Sequence, residues 1–199
     1  MSKSMKMYPH TFSGEKAVQL EAEFAPFLDL VKKEGISSYL EIGTARGDTF
    51  HEVVSQMPKE SKAVAVDYPE NGWGLSGSQY QLRQVSKDLK KKGYEVNIIW
   101  GDSRHSGVIQ NALKYAPYDL VFIDGDHTYE GVKADWENYG HLGRIVAFHD
   151  IADPGIPNDK GEVIEVKKFW DEIKVNYRHI EFIDENARFP MGIGVLYLA

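Results

Sequence analysis

The sequence predicts an α/β fold: a Rossmann-like sheet of seven strands, mostly parallel, with helices on both faces. Three observations indicate this class. Short hydrophobic strands alternate with amphipathic helices along the 199 residues, which is typical of parallel strands joined by crossovers. The strands are apolar on both faces, as a sheet covered on both sides requires. The last two strands, 178–183 and 192–199, have no helix between them, so they must form a terminal antiparallel hairpin.

Each element follows from its local pattern. The stretch 15–35 spaces apolar residues three and four apart and stops at Gly35, which predicts an N-terminal helix. Later helices stop in the same way at Pro58 and Gly93. These later helices are predicted at 47–58, 78–93, 105–117, 129–142 and 162–176. The strands are predicted at 38–43, 62–67, 94–102, 118–124, 143–150, 178–183 and 192–199.

The order of these elements predicts how the chain is organised. We expect the sheet order 3-2-1-4-5-7-6, counted along the chain, with an N-terminal helical segment at 1–35 and the main domain at 36–199. A formal charge of −7 argues against nucleic-acid binding, which usually needs a basic face. With no cysteine, disulfides and thiolate sites are excluded. We find no apolar run near the roughly 18 residues of a membrane span and no signal core, so we expect a cytoplasmic protein.

A glycine turn follows the first strand of the sheet. In LEIGTARGDTF, residues 40–50, Gly43 and Gly47 let the main chain approach a ligand, and the next helix offers free N–H groups. The second strand ends at Asp67, where a carboxylate can accept hydrogen bonds from ribose hydroxyls. The third strand ends in GDS, residues 101–103. Ligands of open parallel sheets lie outside the carboxyl ends of the strands, so we predict a nucleoside there.

The chemistry of the turn argues against a dinucleotide. Ala45 and Arg46 stand where a dinucleotide fingerprint has its middle glycine. Glu41, just before the turn, would repel a pyrophosphate but suits a sulfonium or amino group. These features favour S-adenosylmethionine over a nicotinamide dinucleotide. Two other classes stay open: an NAD-dependent oxidoreductase on a related fold, and a metal-dependent glycosyltransferase that binds a nucleotide sugar through the DGDH sequence, 124–127.

The fourth strand delivers two carboxylates and an imidazole to one point. In VFIDGDHTYEGV, residues 121–132, a buried strand stops at Asp124. Gly125 then allows a sharp turn that keeps Asp126 and His127 facing the crevice. Either of these two could serve as a general base for an acceptor hydroxyl. Asp126 could instead belong to the N-terminal cap of the next helix.

The fifth strand ends with His149 and Asp150, and we expect both beside Asp124. Two carboxylates and one imidazole can hold a divalent cation, which would lower the pKa of a bound hydroxyl. Mg²⁺ is our first choice because cells hold it in abundance, with Mn²⁺, Fe²⁺, Zn²⁺ and Ni²⁺ as alternatives. His149 could instead be a core histidine bonded to a main-chain carbonyl.

These sequences resemble a known family. YLEIGTARGDTF is similar to the first motif of the class I S-adenosylmethionine-dependent methyltransferases, AVDYPE to their second, and WGDS to their adenine-side motif. FIDGDHTYEGVKADWENYG followed by GRIVAFHDI resembles the branch of metal-dependent sugar O-methyltransferases of macrolide and aminocoumarin biosynthesis. The resemblance covers roughly residues 36–199. It implies an O-methyltransferase acting on a small-molecule or glycan acceptor, and it leaves a homo-oligomer open.

The resemblance also implies roles for residues at the strand ends. The implied cofactor-binding residues are Glu41, Gly43, Thr44 and Gly47 at the methionine end, Asp67 at the ribose, Asp102 and Ser103 at the adenine, and Asp124. The implied metal ligands are Asp124, His149 and Asp150. The implied general base is His127 or Asp126. His149 departs from relatives that carry a second carboxylate at this position, which leaves the identity of the metal open.

Overall fold

The computed structural model describes a seven-stranded sheet with flanking helices and a separate two-stranded sheet. The described residues are 6–9, 12, 16–68, 78–153, 155 and 163–198. The strands are β1 (Met7–Pro9), β2 (Lys16–Leu20), β3 (Ser38–Ile42), β4 (Lys62–Asp67), β5 (Glu95–Trp100), β6 (Tyr118–Ile123), β7 (Gly143–His149), β8 (Arg178–Phe182) and β9 (Ile193–Tyr197). The α-helices are α1 (Glu21–Lys33), α2 (Asp48–Gln56), α3 (Ser78–Lys91), α4 (Ser106–Leu113), α5 (Tyr129–Tyr139) and α6 (Val166–Ile173). Short 3₁₀ turns follow α5 at Gly140–Leu142 and α6 at Lys174–Asn176.

The large sheet runs in the order β5-β4-β3-β6-β7-β9-β8. Its first five strands are mutually parallel, and β9 lies antiparallel to both β7 and β8. Counted from β3, this is the predicted order 3-2-1-4-5-7-6, so the predicted fold class is confirmed. The register places Ile42 beside Val66 and Ile123, and Ile123 beside Phe148. The exits of β4, β3, β6 and β7 therefore stand side by side at one edge of the sheet.

Two hydrophobic layers sandwich the sheet. Alternate residues of β3 pack into opposite layers. Tyr39 packs with the layer of α1, α2 and α3, and Leu40 packs with the layer of α4, α5 and α6. Side chains of a strand point alternately to either face, which explains the unbroken apolar runs in the parallel strands.

The N-terminal segment differs from the predicted helix at 15–35. Residues Lys16–Leu20 form β2, which pairs antiparallel with β1, and α1 begins only at Glu21. The main-chain N–H of Glu21 also donates to the carbonyl of Lys6 at 2.9 Å. Local apolar spacing does not show that a partner strand exists elsewhere in the chain, so it predicted helix for all these residues. The division of the chain at residue 36 stays a prediction, and part of 1–35 lies outside the described residues.

Within the described ranges, no helix combines the length and apolarity needed to cross a membrane. Both the expected cytoplasmic location and the oligomeric state stay predictions.

Candidate active site

Four carboxylates lie along the carboxyl edge of the parallel strands. Asp67 ends β4, Asp102 follows β5, Asp124 follows β6 and Asp150 follows β7. These strands run parallel within one sheet, so their exits lie at the same edge, as the sequence predicted. We call these four residues the strand-end rim.

The glycine turn after β3 packs directly against the exit of β6. Gly43 has φ +84°, and a Cβ there would lie 2.1 Å from the main-chain oxygen of Asp124. Only glycine therefore allows the two strand exits to touch. Gly47, with φ +85°, precedes α2, and its N–H donates to the carbonyl of Thr44 at 2.8 Å. Ala45 has φ +47°, so it occupies a conformation that favours glycine at the position where the sequence lacks one.

Asp67 faces this turn. Its Oδ1 accepts a hydrogen bond from the main-chain N–H of Ala45 at 2.9 Å. Burial raises the pKa of Asp67 to about 6, although the hydrogen bond from Ala45 opposes the shift. The exit of β4 is thus tied to the glycine turn by a hydrogen bond, and the contact of Asp67 with a ribose stays a prediction.

Glu41 lies below the turn and inside the core. It is 1% exposed, and the hydroxyl of Tyr39 donates a hydrogen bond to its Oε2. Burial raises the pKa of Glu41 well above its usual value; the Tyr39 hydrogen bond opposes this, while the charges of Asp124 and Asp67 add to it. Its contact with the amino group of a cofactor stays a prediction.

The loop after β5 carries an arginine that the sequence patterns did not indicate. Arg104 donates to both oxygens of Asp102, at 3.0 Å from Nε and 2.9 Å from Nη2. These bonds hold the pKa of Asp102 below its usual range. Arg104 also places its Nη1 3.6 Å from the Oδ2 of Asp126. An arginine two positions beyond an acidic strand exit was the available signal for this contact.

Two carboxylates and two imidazoles meet where β6 and β7 end. We call Asp124, His127, His149 and Asp150 the acid–imidazole cluster. The Oδ1 of Asp124 lies 3.1 Å from the Nδ1 of His149 and 3.4 Å from the Nε2 of His127. The Oδ2 of Asp150 lies 3.2 Å from the Nδ1 of His127, and its Oδ1 lies 3.4 Å from the Nδ1 of His149. Each acid therefore contacts both histidines.

The backbone at Asp150 is held in an uncommon conformation. Its φ is +60°, in the left-handed region that non-glycine residues rarely occupy. The residue is buried at the end of β7, and its carboxylate turns back onto both histidines. Strained residues of this kind gather at functional sites, where the surrounding structure maintains them.

The cluster shifts the pKa of its members in opposite directions. Burial lowers the pKa of His127, but the hydrogen bond with Asp124 and the charge of Asp150 outweigh it and raise the pKa to about 9. Burial also lowers the pKa of His149, but the charges of Asp150 and Asp124 outweigh it and raise that pKa to about 10. Burial would raise the pKa of Asp124, yet the two histidines hold it well below its usual range. The imidazolium groups of His127 and His149 thus offset the negative charge of Asp124 and Asp150, which a bound cation could also offset.

The donor set fits a divalent cation. One ligand atom from each of Asp124, His127 and Asp150 lies within 4.8 Å of the others. The Nε2 of His149 is buried and has no hydrogen-bond partner among the described residues. Two carboxylates with one or two imidazoles suit Mn, Fe, Zn or Ni at least as well as Mg. The sequence predicted Asp124, His149 and Asp150 as ligands, whereas the group whose ligand atoms lie within 4.8 Å of one another contains His127 in place of His149.

Asp126 is turned towards the start of α5. Its Oδ1 accepts from the N–H of Thr128 at 3.0 Å and from the Thr128 hydroxyl at 2.8 Å. Thr128 is the N-cap residue, because its own hydroxyl accepts from the N–H of Gly131 at 3.1 Å. Of the two candidate bases, the structure brings His127 onto the acids at Asp124 and Asp150, while Asp126 supports the helix cap.

A comparison with known families decides between the classes that the sequence left open. A family model described as a methyltransferase domain matches residues 40–151, which is more than half of the chain. The chain belongs to this methyltransferase family. The predicted membership of the class I S-adenosylmethionine-dependent methyltransferases is thereby confirmed. The match spans the glycine turn, the strand-end rim and the whole acid–imidazole cluster, and it speaks against an oxidoreductase or a glycosyltransferase.

Solved structures show the same fold for this methyltransferase. An O-methyltransferase from Bacillus cereus in complex with SAH aligns with a TM-score of 0.66 at 17% identity, covering 87% of this chain and 80% of its own. The O-methyltransferase TomG from Streptomyces achromogenes, in complex with SAM, aligns with a TM-score of 0.65 at 16% identity, covering 92% of this chain and 82% of its own. The SAH-bound methyltransferase PaMTH1 from Podospora anserina aligns with a TM-score of 0.60 at 16% identity, covering 88% of this chain and 78% of its own. No curated protein gives a significant sequence match.

Proposed function

We propose that this methyltransferase transfers the methyl group of S-adenosylmethionine to a hydroxyl oxygen of a small molecule or glycan, assisted by a divalent cation. The observation that carries the proposal is the acid–imidazole cluster in direct contact with the glycine turn. The main chain of Gly43 meets that of Asp124 and Gly125. A cofactor seated at the turn would therefore present its methyl group next to the cluster.

On this proposal, the cation is held by Asp124 and Asp150, with His149 as the third ligand. His149 is the deeper histidine, with 5% of its side chain exposed against 21% for His127. Bound there, a divalent cation would lower the pKa of the acceptor hydroxyl and offset the two carboxylates, so that His127 could lose its proton. The tight grouping of Asp124, His127 and Asp150 supports an alternative in which His127 is the ligand.

His127 is the proposed general base, because it is the more exposed of the two histidines. Its ring spans both acids, with Nδ1 near Asp150 and Nε2 near Asp124, and these contacts fix the plane of the imidazole. As the acceptor oxygen bonds to the methyl carbon, the carbon–sulfur bond breaks and sulfur keeps the electron pair. The hydroxyl proton passes to His127, which gives the ether and S-adenosylhomocysteine.

The nucleoside would lie along the other half of the rim. Asp67 is proposed to accept from the ribose hydroxyls through the carboxylate that Ala45 already orients. Asp102 and Ser103 are proposed to line the adenine, with Asp102 held in place by Arg104. Glu41, Gly43, Thr44 and Gly47 are proposed for the methionine end. An acceptor hydroxyl is also supported by two of the structural relatives, which are named O-methyltransferases.

The test is a paired binding and turnover experiment on the whole chain. Thermal-shift measurements compare S-adenosylhomocysteine with NAD, and stabilisation by the first alone is expected. Formation of S-adenosylhomocysteine is then followed with a panel of catechol, phenol and sugar acceptors, before and after chelation, and after Mg²⁺ or Mn²⁺ is restored. Stabilisation by NAD alone contradicts the cofactor assignment. Turnover that survives chelation undiminished contradicts the metal assignment.

A further inference from the structure

The helix that follows the acid–imidazole cluster also holds the loop after β5. On the inner face of α5, Asp135 and Tyr139 lie one turn apart and are completely buried. The hydroxyl of Tyr139 donates a hydrogen bond to the main-chain carbonyl of Ser103 at 2.6 Å. One helix therefore connects the loop that carries His127 with the loop proposed to line the adenine.

Asp135 is a buried acid to which the proposed reaction gives no task. Neither of its carboxyl oxygens makes a hydrogen bond of ordinary geometry with a described residue. A Cβ on Gly125 would stand 3.0 Å from the Oδ2 of Asp135, so the carboxyl lies directly beneath that main chain. On the other side, a Cβ on Gly43 would stand 2.4 Å from the Cα of Gly125. The main chain of Gly125 is thus enclosed between the glycine turn and Asp135.

A second connection joins the same two loops at the surface. Arg104, paired with Asp102, reaches across to within 3.6 Å of Asp126. This outer contact is more than half exposed at the arginine, so solvent screens it and it contributes little by itself. The buried contact at Asp135 therefore has the larger influence on how the two loops are spaced.

We propose that Asp135 is a positioning residue that fixes the spacing between Ser103 and the main chain of Gly125, so that the adenine side of the cofactor site and the acid–imidazole cluster form together. This inference rests on the proposed function. In its neutral form, the carboxyl of Asp135 can stay buried beneath the main chain of Gly125 at a lower cost than in its ionised form. An ionised one would be a buried charge without a directly bonded cation, which is costly and favours separation of the two loops.

The electrostatic surroundings support this view. Burial raises the pKa of Asp135 to about 7, because the nearby Ser103 hydroxyl and Arg104 offset the burial only in part. The groups that face it from the loops and from its own helix are Asp102, Ser103, Arg104, Asp126 and Tyr139. A carboxyl whose pKa is raised on folding stabilises the folded form at low pH, and this contribution is lost as the pH rises through the folded pKa. The arrangement in which Asp135 holds the two loops together is therefore favoured as the pH falls below about 7.

The test measures S-adenosylhomocysteine affinity by calorimetry one pH unit below and one above the pKa of about 7. The wild-type protein is expected to bind more weakly at the higher pH, by at most about tenfold for one titrating group. Asp135→Asn keeps the shape without the charge and is expected to lose this weakening, so that any pH dependence left follows the ionisation of Asp67 and runs in the opposite direction. The matched control is Asp119→Asn at the opposite edge of the sheet, where Asp119 accepts from Ser37 and Arg144. It is expected to keep the wild-type pH dependence.

A second variant approaches the same contact from the other side. Gly125→Ala would push a methyl group against the carboxyl of Asp135 and is expected to weaken S-adenosylhomocysteine binding at both pH values. Unchanged affinity in Gly125→Ala, or wild-type pH dependence in Asp135→Asn, overturns the inference alone. Failure of the wild-type protein to bind S-adenosylhomocysteine at either pH overturns the proposed function, and the inference with it.

Discussion

The two halves of the strand-end rim hold their acids by different means. In the half formed by β4 and β5, Asp67 is bonded by a main-chain N–H and Asp102 by an exposed arginine. In the half formed by β6 and β7, Asp124 and Asp150 are bonded by two histidines that are largely buried. The first half has fixed partners that leave the carboxylates available to a neutral ligand. The second has titratable partners that can release a proton or yield to a cation.

On the proposed function, this difference separates cofactor binding from chemistry. Hydrogen bonds from ribose and adenine require acceptors in constant positions. The carboxylate of Asp67 is held by a main-chain N–H and that of Asp102 by a bidentate arginine. Proton transfer requires a group that can change its charge near neutral pH, as imidazole ordinarily does. Here the two carboxylates raise the pKa of His127 to about 9, and a cation that offsets them would bring it back towards neutral. A substitution in one half should therefore affect cofactor affinity, and a substitution in the other should affect turnover.

The strongest test of this separation is Asp150→Asn. Asparagine tolerates the left-handed φ of +60° better than alanine would, so the change removes a charge with little backbone cost. We expect metal-stimulated turnover to be abolished, while calorimetry finds nearly wild-type affinity for S-adenosylhomocysteine. An equal loss of cofactor affinity would contradict the division between the two halves. Asp153→Asn, three residues further on, is the matched control and should retain turnover.

The next largest effect is expected from His127→Ala. Removing a general base should lower turnover by about 10²–10⁴-fold. Metal affinity, measured by calorimetry with Mn²⁺, should persist if His149 is the third ligand. The parallel variant His149→Ala distinguishes the alternatives. Loss of Mn²⁺ binding in His127→Ala but not in His149→Ala would show that the tight group of Asp124, His127 and Asp150 is the actual ligand set.

The sequence predicted the rim well because it depends on topology. Once strands alternate with helices, the carboxyl ends of parallel strands must lie at one edge, so Asp67 and Asp124 could be placed there from spacing alone. The partners of these acids depend on side-chain directions that spacing does not contain. Arg104 on Asp102 and the buried Asp135 beneath Gly125 were missed for this reason.

The same distinction explains where the fold prediction was wrong. Strand β2 exists because it pairs with β1, and a partner strand leaves no trace in the local apolar spacing of 15–35. The terminal hairpin was predicted because the short connection between the last two strands excludes a parallel crossover. Constraints of chain length can be derived from the sequence, whereas the choice of a distant partner cannot.

A smaller effect, confined to the cofactor half, is expected from Asp67→Asn. The amide keeps one acceptor oxygen but loses the charge that strengthens hydrogen bonds to ribose hydroxyls. We expect S-adenosylhomocysteine to bind about tenfold more weakly, corresponding to about 1.4 kcal/mol. Mn²⁺ affinity should be unchanged, because the partners of the acid–imidazole cluster are untouched. A loss of Mn²⁺ binding in this variant would show that the two halves are not independent.

The smallest predicted effect concerns the strain in the glycine turn. Ala45 has φ +47°, and glycine would relieve a cost of roughly 1–2 kcal/mol for an L-residue in this region. Glycine also adds about 0.5–1 kcal/mol of unfolded-state entropy. We therefore expect Ala45→Gly to raise the free energy of unfolding by about 0.5 kcal/mol in urea titrations, with turnover retained. Glu60→Gly is the matched control, since Glu60 has φ +68° in the turn before β4, at the other edge of the sheet. If Glu60→Gly is stabilising and Ala45→Gly is not, then the turn after β3 depends on the side chain of Ala45 and not only on its backbone.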